Sequence, residues 1–238
     1  MESVPDWRAV RTDDGSWTLA HPEHGETCHS TSGAWQQALE RYARPCRLRE
    51  RAQAGARELR LLDIGTGLGL NLAAALSELD GTGCALIADT FERDASVREA
   101  MLELVSVHGA LDPRAEPFHA RVRAALERGG DRSIRTHFGD ARALVPALEP
   151  TARYDAVFLD PFSPRREPDL WTGEFLAAIA ARMAPGAWLS TYTVSKPVRR
   201  ALAAAGLAVL DGPAVGRKRA GTLARSALDG GTRRAEPL

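Results

Sequence analysis

The 238-residue sequence has few cysteines, only two lysines and no long hydrophobic run. Cys28, Cys46 and Cys84 stand far apart without a CxxC or Cys/His spacing, so neither a disulfide framework nor a metal site is predicted. No segment approaches the ~20 consecutive apolar residues of a membrane helix, and the amino terminus has no apolar signal core. These absences predict a cytoplasmic protein with reduced thiols, no metal and no membrane partner.

Net charge is also absent, because 31 basic residues balance 31 acidic ones. A protein covered with basic surface for nucleic acid is therefore not predicted. The charge is nevertheless uneven, since residues 195–238 contain nine Lys or Arg against Asp211, Asp229 and Glu236. This asymmetry permits a basic face that binds a polyanion, although a solvated charged surface is the commoner explanation of such a run.

The most informative stretch is an apolar run, Leu59–Ile64, that leads into the glycines of a GxGxG turn. Such a run is typical of a buried parallel strand. The helical spacing of apolar residues from Leu68 onward predicts that the turn opens into a helix. Glycines allow the backbone to approach a ligand closely, and a helix start offers free N–H groups and a positive dipole end.

The spacing of this turn narrows the choice of ligand. It lacks the lysine of a phosphate-binding loop and the GxGxxG spacing of the dinucleotide fingerprint. Asp63 stands two residues before the first glycine, and its carboxylate favours an amine over a pyrophosphate. The turn therefore indicates S-adenosylmethionine, which carries an amino-acid head, a ribose and an adenine; the alternative is a tight turn in an unrelated α/β protein.

Alternating strand and helix patterns predict an α/β, Rossmann-like fold with a doubly wound, mostly parallel sheet. An antiparallel strand pair at 207–210 and 221–228 is expected to close the sheet. The other strands and helices of this domain are predicted at 59–64, 68–79, 84–90, 95–108, 117–127, 133–138, 141–148, 154–159, 170–183, 187–193 and 196–205. Residues 109–132 form an excursion between two strands.

The predicted domains are an amino-terminal extension at 1–57, a ligand-binding domain at 58–228 and a disordered tail at 229–238. Within the extension, Asp13–Gly15 predicts the turn of a short hairpin. A helix capped by Ser30–Gly33 is expected to end before Pro45, and a second helix is expected at 46–56.

Acidic residues lie at the carboxyl ends of four predicted strands, the edge where ligands bind in doubly wound proteins: Asp63, Glu92, Asp140 and Asp160. Glu92 lies ~20 residues beyond the turn, where a carboxylate accepts from both ribose hydroxyls; the alternative is a charge that favours the next helix start. Asp140 either accepts from an adenine amino group or caps a helix, and these two roles are compatible.

The segment Asp160-Pro161-Phe162 lies where a group transferred from a ligand in the glycine turn would emerge. Methylation of an amine requires a neutral nitrogen lone pair in line with the S–CH₃ bond, and acceptors for the hydrogens on nitrogen. The Asp160 carboxylate and a backbone carbonyl supply two acceptors, and the Phe162 ring suits the developing positive charge. The alternative is a strand-terminating turn, which Pro161 and Pro164 favour in any protein.

Four segments together resemble the MnmD-type methyltransferase family, which also forms the amino-terminal half of the bifunctional MnmC protein: Asp14–Ser30, Asp63–Asn71, Phe158–Trp171 and Gly216–Arg219. The resemblance implies a class I methyltransferase fold, S-adenosyl-L-methionine as cofactor and the anticodon loop of tRNA as partner. The implied reaction methylates the exocyclic amine of 5-aminomethyl-(2-thio)uridine at the wobble position and yields 5-methylaminomethyl-(2-thio)uridine.

The resemblance also implies roles for individual residues. The cofactor is expected at Asp63, Gly65, Thr66, Gly67, Gly69, Asn71, Glu92 and Asp140. The catalytic corner is expected at Asp160, Pro161 and Phe162. Substrate contacts are expected from Glu26, His29, Ser30, Arg217, Lys218 and Arg219.

The sequence departs from the family pattern at three of its positions. Pro161 stands where the family usually has glycine, Cys28 where it usually has tyrosine, and Asp63 where glutamate is common. Pro161 stiffens the corner without removing an acceptor carbonyl. Asp63 has a shorter side chain with the same charge, and Cys28 lacks an aromatic ring.

Because no oxidoreductase half follows Leu238, a separate enzyme is expected to supply 5-aminomethyluridine. Three other functions stay open, since a fold does not fix a substrate. They are a methyltransferase of a small-molecule or protein amine, an aminopropyl transferase, and a catalytically inactive tRNA-binding protein. The intact glycine turn with Asp63, Glu92 and Asp160 disfavours the inactive tRNA-binding protein. Salt-dependent affinity for tRNA would distinguish a tRNA methyltransferase from one that acts on a small-molecule or protein amine.

Overall fold

The computed structural model describes residues 7–216 and 220–228, and in this part of the chain nine strands are formed. They are β1 (Arg8–Arg11), β2 (Trp17–Ala20), β3 (Glu58–Ile64), β4 (Ala85–Glu92), β5 (Ile134–Phe138), β6 (Tyr154–Leu159), β7 (Met183–Thr191), β8 (Ala208–Gly212) and β9 (Gly221–Arg225). β1 and β2 form a separate antiparallel hairpin. The other strands form one sheet in the order β5-β4-β3-β6-β7-β9-β8.

Helices cover both faces of this sheet. They are α1 (Ala34–Gln37), which continues as the π-helix Ala38–Ala43, α2 (Leu48–Gln53), α3 (Leu70–Leu79), α4 (Ser96–His108), α5 (Glu116–Glu127), α6 (Ala141–Ala147), α7 (Gly173–Ala181) and α8 (Lys196–Ala204). Across residues 7–216 and 220–228, no helix combines the length and the hydropathy needed to span a bilayer.

The strand order confirms the predicted doubly wound fold. β3 pairs in parallel with β4 on one side and with β6 on the other, so the direction of winding reverses between β3 and β6. β9 pairs antiparallel with both β7 and β8, as the predicted closing pair requires. The carboxyl ends of β3 and β6 therefore lie side by side at the switch point, which is where such folds bind ligands.

Alternation along β3 explains how the sheet is buried on both faces. Leu59 and Leu61 pack into a core cluster with α1 to α5, whereas Leu62 and Ile64 pack into a second cluster with α6 to α8. Successive side chains of a strand point to opposite faces, so a continuous apolar run is needed where both faces are covered.

The amino-terminal extension packs against the same core as α3. Leu19, Trp35 and Tyr42 belong to the cluster that contains the α3 leucines. Trp17 N–H donates to the carbonyl of Leu111 at 2.7 Å. The predicted domain boundary between residues 57 and 58 stays a prediction. The predicted disordered tail at 229–238 lies outside the described residues.

Two predicted helices differ from the structure. The N-cap of α1 is Gly33, which has no side chain that could accept from the helix start. The Ala34 N–H instead donates to Ser16 Oγ at 2.9 Å, because the hairpin turn packs against the helix start, and the Ser30 N–H donates to Gln37 Oε1. The helix then widens into a π-helix, which a short apolar pattern cannot distinguish from an α-helix.

The predicted helix 170–183 is interrupted at Thr172. A 3₁₀ turn, Pro168–Trp171, precedes it, and Thr172 caps α7 by accepting from the Phe175 N–H. α7 ends at Ala181, and β7 begins at Met183, four residues before its predicted start.

A buried carboxylate in β4 links three strands. Asp89 accepts hydrogen bonds from Arg135 Nε (2.8 Å), His137 Nε2 (2.8 Å) and the Tyr154 hydroxyl (2.7 Å). Burial pushes the pKa of Asp89 upward, but the hydrogen bonds from His137, Arg135 and Tyr154 outweigh it and hold this pKa below its ordinary value. The ionised side chain therefore stabilises the native sheet at neutral pH.

We expect Asp89→Asn to lower the free energy of unfolding at pH 7 by about 2 kcal/mol, since charge-assisted hydrogen bonds are lost. A lowered pKa adds stability above the unfolded-state pKa, which is lost as the pH falls below ~4. The variant should thus show a smaller loss of stability on acidification in urea titrations from pH 7 to pH 3. Asp169→Asn, which affects an exposed pair with Arg142, is the control; equal effects would contradict the prediction.

Candidate active site

A cavity of about 770 Å³ opens at the carboxyl edge of the sheet, around the ends of β3, β4 and β6. Its wall contains many of the residues predicted from sequence: Glu26, His29, Ser30, Gly65, Thr66, Gly67, Glu92, Asp140, Asp160, Pro161 and Phe162. Asp63 and Asn71 are buried beside this wall, in β3 and at the start of α3. The structure thus brings the strand-tip residues together in one place.

The glycine turn is shaped by a close contact with the end of β6. Gly65 has a φ of +86°, and a Cβ there would lie 2.5 Å from the carbonyl oxygen of Asp160. The N–H groups of Gly65, Gly67 and Gly69 donate to Phe91 O, Glu92 Oε2 and Thr66 O, respectively. These glycine N–H groups are engaged within the protein, so the glycines contribute close approach and turn shape.

Asp63 is fully buried behind this turn. Its Oδ2 accepts from the Thr90 hydroxyl at 2.7 Å, while Oδ1 has no hydrogen-bond partner among the described residues. Burial raises the pKa of Asp63 to about 8, with the charges of Asp160 and Glu92 adding to the rise and the Thr90 hydrogen bond opposing it. The Thr66 hydroxyl bonds to Thr90 as well. Binding of an anion beside this carboxyl group is therefore unfavourable, whereas binding of a cationic hydrogen-bond donor is favourable.

Asp160 is fixed by two neutral donors. Asn71 Nδ2 donates to its Oδ2 at 2.8 Å, and the Tyr42 hydroxyl donates to its Oδ1. Burial raises the pKa of Tyr42 well above its ordinary value, so this hydroxyl remains a donor. Donors on both oxygens favour the ionised carboxylate and fix its orientation.

Glu92 and Asp140 occupy the two neighbouring strand ends. Glu92 Oε1 accepts from Asp94 N–H and Oε2 from Gly67 N–H, yet burial raises its pKa to about 7. Asp140 is the N-cap of α6: it accepts from the Arg142 N–H at 2.9 Å and pairs with the Arg142 guanidinium at 2.6 Å. The capping role of Asp140 is therefore present, and its adenine role stays a prediction.

The corner that follows β6 is tied down by hydrogen bonds to its backbone. The Tyr192 hydroxyl donates to Pro161 O at 3.1 Å. Phe162 N–H donates to Glu167 Oε2 at 2.9 Å, and Trp171 Nε1 donates to Phe162 O at 2.9 Å. These contacts hold the Asp160–Phe162 backbone in one conformation.

The amino-terminal segment reaches the same corner. Glu26 accepts from Ser163 Oγ at 2.6 Å and from Ser163 N–H at 3.1 Å, so it fixes the corner loop. His29 is buried against the Thr18 hydroxyl, and burial lowers its pKa to about 4, so it is neutral. Cys28 lies beside the glycine turn, 3.7 Å from where a Cβ on Gly67 would be.

The basic loop Arg217-Lys218-Arg219 lies outside the described residues. The residue before it, Gly216, packs so closely on Ser32 that a Cβ there would lie 1.9 Å from the Ser32 hydroxyl oxygen. Ser32 in turn hydrogen-bonds Ser30, a residue of the cavity wall, at 2.7 Å. The chain therefore enters this loop from the edge of the cavity.

Tyr42, Tyr192 and Glu167 also belong to the site, although the sequence did not predict them as site residues. Tyr192 directly follows β7, so the strand-end reasoning that identified the acids would have found it. Tyr42 lies in a helix of the extension, and its distance from Asp160 along the chain leaves no local signal.

Comparisons with known proteins agree with this geometry. A family model described as S-adenosyl-L-methionine-dependent methyltransferase matches residues 114–227. The crystal structure of MnmC2 from Aquifex aeolicus superposes with a TM-score of 0.80 at 32% sequence identity, covering 99% of this chain and 74% of that one.

Relatives found by sequence include longer proteins. MJ0670 of Methanocaldococcus jannaschii is 31% identical over 222 residues, which are 90% of this chain and 58% of that protein. The tRNA 5-methylaminomethyl-2-thiouridine biosynthesis bifunctional protein MnmC of Aromatoleum aromaticum is 37% identical over 215 residues, covering 84% of this chain and 32% of that protein. The chain thus spans about a third of the MnmC relatives it matches.

We expect Asp63→Asn to change how stability depends on pH. A carboxyl group whose pKa is raised in the folded state ionises first in the unfolded chain, so it lowers the stability of the native state as the pH rises from ~4 towards about 8. Asparagine removes this loss, so the melting temperature of the ligand-free variant should fall less than that of the wild type between pH 5 and pH 8. Asp211→Asn, at an exposed ion pair, is the control; parallel curves for all three proteins would contradict the prediction.

Proposed function

This chain belongs to the MnmD-type family of S-adenosyl-L-methionine-dependent methyltransferases, and we propose that it methylates the aminomethyl nitrogen of 5-aminomethyl-(2-thio)uridine at the tRNA wobble position. The product is 5-methylaminomethyl-(2-thio)uridine. The names of the MnmC relatives support this choice of substrate. The observation that carries the proposal is the Asp160 carboxylate, which two neutral donors orient in the same cavity as the glycine turn.

The residues around the turn fit S-adenosyl-L-methionine, which supplies a sulfonium-bound methyl group when it is bound. Asp63 Oδ1 and Asn71 Oδ1 are buried acceptors without a partner among the described residues, and the donor hydrogens of an ammonium group satisfy such atoms. We assign the amino-acid end to this pair, the ribose hydroxyls to Glu92 and the adenine amino group to Asp140.

Asp160 has two tasks at the substrate amine. Its carboxylate accepts an N–H hydrogen of the neutral amine and thereby turns the nitrogen lone pair towards the cofactor side of the cavity. Transfer of the sulfonium-bound methyl group would form the N–C bond, break the S–C bond and leave the sulfur as a neutral thioether. The nitrogen would become positively charged, and the Asp160 carboxylate would stabilise that charge and accept the released proton. The hydrogen bonds from Tyr42 and Asn71 orient this carboxylate and favour its charged form.

Pro161 and Phe162 complete the amine site. The Pro161 carbonyl has a second lone pair beyond the one that accepts from Tyr192, so it offers the amine another acceptor. The ring of Phe162 provides a cation–π contact for the developing ammonium, worth ~1–2 kcal/mol in a desolvated site. Glu26 acts indirectly, because its hydrogen bonds with Ser163 fix the loop that carries Pro161 and Phe162.

The tRNA is proposed to present its wobble base from the anticodon loop. Bases of a single-stranded loop can be splayed out and inserted in a cavity without melting a duplex. Phosphate contacts are assigned to Arg217, Lys218 and Arg219, since the chain enters their loop at the edge of the cavity.

The direct test is methyl transfer from labelled S-adenosyl-L-methionine to bulk tRNA from cells that lack this activity, followed by nucleoside analysis. Label in 5-methylaminomethyl-(2-thio)uridine is expected. If the protein binds the cofactor but leaves tRNA unlabelled, the tRNA assignment is wrong, and small-molecule and protein amines are the next substrates to test.

Substitutions of Asp160 and of its hydrogen-bond donor Tyr42 should both lower turnover, the first more than the second. We expect Asp160→Asn to lower kcat by at least ~10²-fold, since general acid–base and electrostatic stabilisation are both weakened. Tyr42→Phe should lower kcat less and shift the acidic limb of the pH–rate profile upward, because the carboxylate loses one donor. Cofactor affinity, measured by calorimetry, should change little in both; an equal loss of affinity and turnover would place Asp160 in the cofactor site instead.

The basic loop should contribute to the salt dependence of tRNA binding. Replacing both Arg217 and Lys218 by alanine removes two phosphate contacts, so the slope of log Kd against log salt should flatten by roughly two. Arg153→Ala with Arg182→Ala, just before the amino ends of β6 and β7 and so away from the cavity, provides a charge-matched control. An unchanged slope in the loop variant would exclude this loop as a phosphate contact.

A further inference from the structure

Three aromatic side chains of the amino-terminal segment line the cavity beside Phe162, and the proposed mechanism gives them no role. They are Trp7, His21 and His24. The rings of His21 and His24 are stacked, with centroids 3.8 Å apart and planes inclined by 7°. Trp7 stands edge-on to His21 at 4.8 Å.

Phe162 joins this group from the catalytic corner. Its ring is nearly perpendicular to both histidines, with centroids 5.2 Å from His21 and 5.0 Å from His24. Because the two distances are almost equal, Phe162 lies beside the histidine stack rather than above it. The stack is therefore next to the residue proposed to contact the substrate amine.

The stack is held in place by His21. Its Nδ1 accepts from the backbone N–H groups of Glu23 and His24, each at 3.1 Å, so its ring is fixed and the proton of the neutral form is on Nε2. Burial and the neighbouring His24 lower the pKa of His21, which favours that neutral form. Among the described residues, the ring nitrogens of His24 make no hydrogen bond, so this ring acts through its faces and edges.

We propose that the His21–His24 pair is a stacking platform for the unpaired pyrimidine base that carries the aminomethyl group. This inference rests on the proposed function. One methylene separates the reacting nitrogen from that base, so a nitrogen held at Asp160 and Phe162 places the base ring against the adjacent wall of the cavity. Aromatic side chains that stack single-stranded bases are a common means of binding RNA.

The position of the platform favours the substrate base over the adenine of the cofactor. Of the residues assigned to ribose and adenine, Glu92 is the last residue of β4 and Asp140 follows β5. Phe162 follows β6, which lies on the other side of β3 in the sheet. His24 contacts the ring of Phe162, so the platform adjoins the substrate end of the cavity.

The test compares His24→Ala with His24→Phe in the full chain, using a synthetic anticodon stem-loop that contains 5-aminomethyluridine. We expect His24→Ala to raise KM for the stem-loop roughly tenfold, with kcat and cofactor affinity little changed. His24→Phe should restore KM, because it retains an aromatic face. His108→Ala is the matched control, since His108 also stacks on an aromatic ring, Trp17 at 3.8 Å, but outside the cavity wall.

Four results would overturn the inference. An unchanged KM in His24→Ala means that no base stacks there, and a defect that phenylalanine does not rescue means that the ring nitrogens act instead of the faces. A loss of cofactor affinity in His24→Ala assigns the platform to adenine. A wild-type protein that binds the cofactor but does not methylate the stem-loop overturns the proposed function and this inference with it, whereas an active wild type with an unaffected variant overturns this inference alone.

Discussion

The candidate site depends on the close contact between the glycine turn after β3 and the backbone carbonyl of Asp160 after β6. At Gly65 any larger residue would overlap this carbonyl, so the two strand ends approach as closely as glycine alone permits. The contact lies at the switch point of the sheet, where the halves of the fold diverge. The hydrogen bond from Asn71 to Asp160 crosses the same gap, so the residues at the glycine turn and those after β6 hold one another.

Burial, rather than a surplus of charge, sets the chemistry of this cavity. It raises the pKa of Asp63 to about 8 and that of Glu92 to about 7, and it lowers the pKa of His29 to about 4. The site thus contains polar groups that tend to be neutral until a ligand supplies an opposite charge or a hydrogen bond. A cationic cofactor and an amine that becomes positively charged suit such surroundings better than a phosphate does.

The sheet and its ligand-binding edge were predictable because both depend on local patterns. The apolar run that ends at Ile64 and the acids that follow each strand are visible in a single sequence, and parallel pairing brings them together. The supporting residues were not predictable, since Tyr42 meets Asp160 and Glu26 meets Ser163 only through tertiary packing. The π-helix likewise follows from packing, because over six residues its apolar spacing matches that of an α-helix.

The contacts that complete the site join residues far apart in the chain. Glu26 and Ser163 are separated by 137 positions, and the buried Arg41 donates to the carbonyl of Pro213 across 172 positions. During synthesis, the extension leaves the ribosome long before either partner exists. Its apolar residues therefore have no native packing partners until the central strands have been synthesised. Contacts between residues so far apart in the sequence also form slowly. We therefore expect the corner that follows β6 to be among the last parts of the protein to reach its native structure.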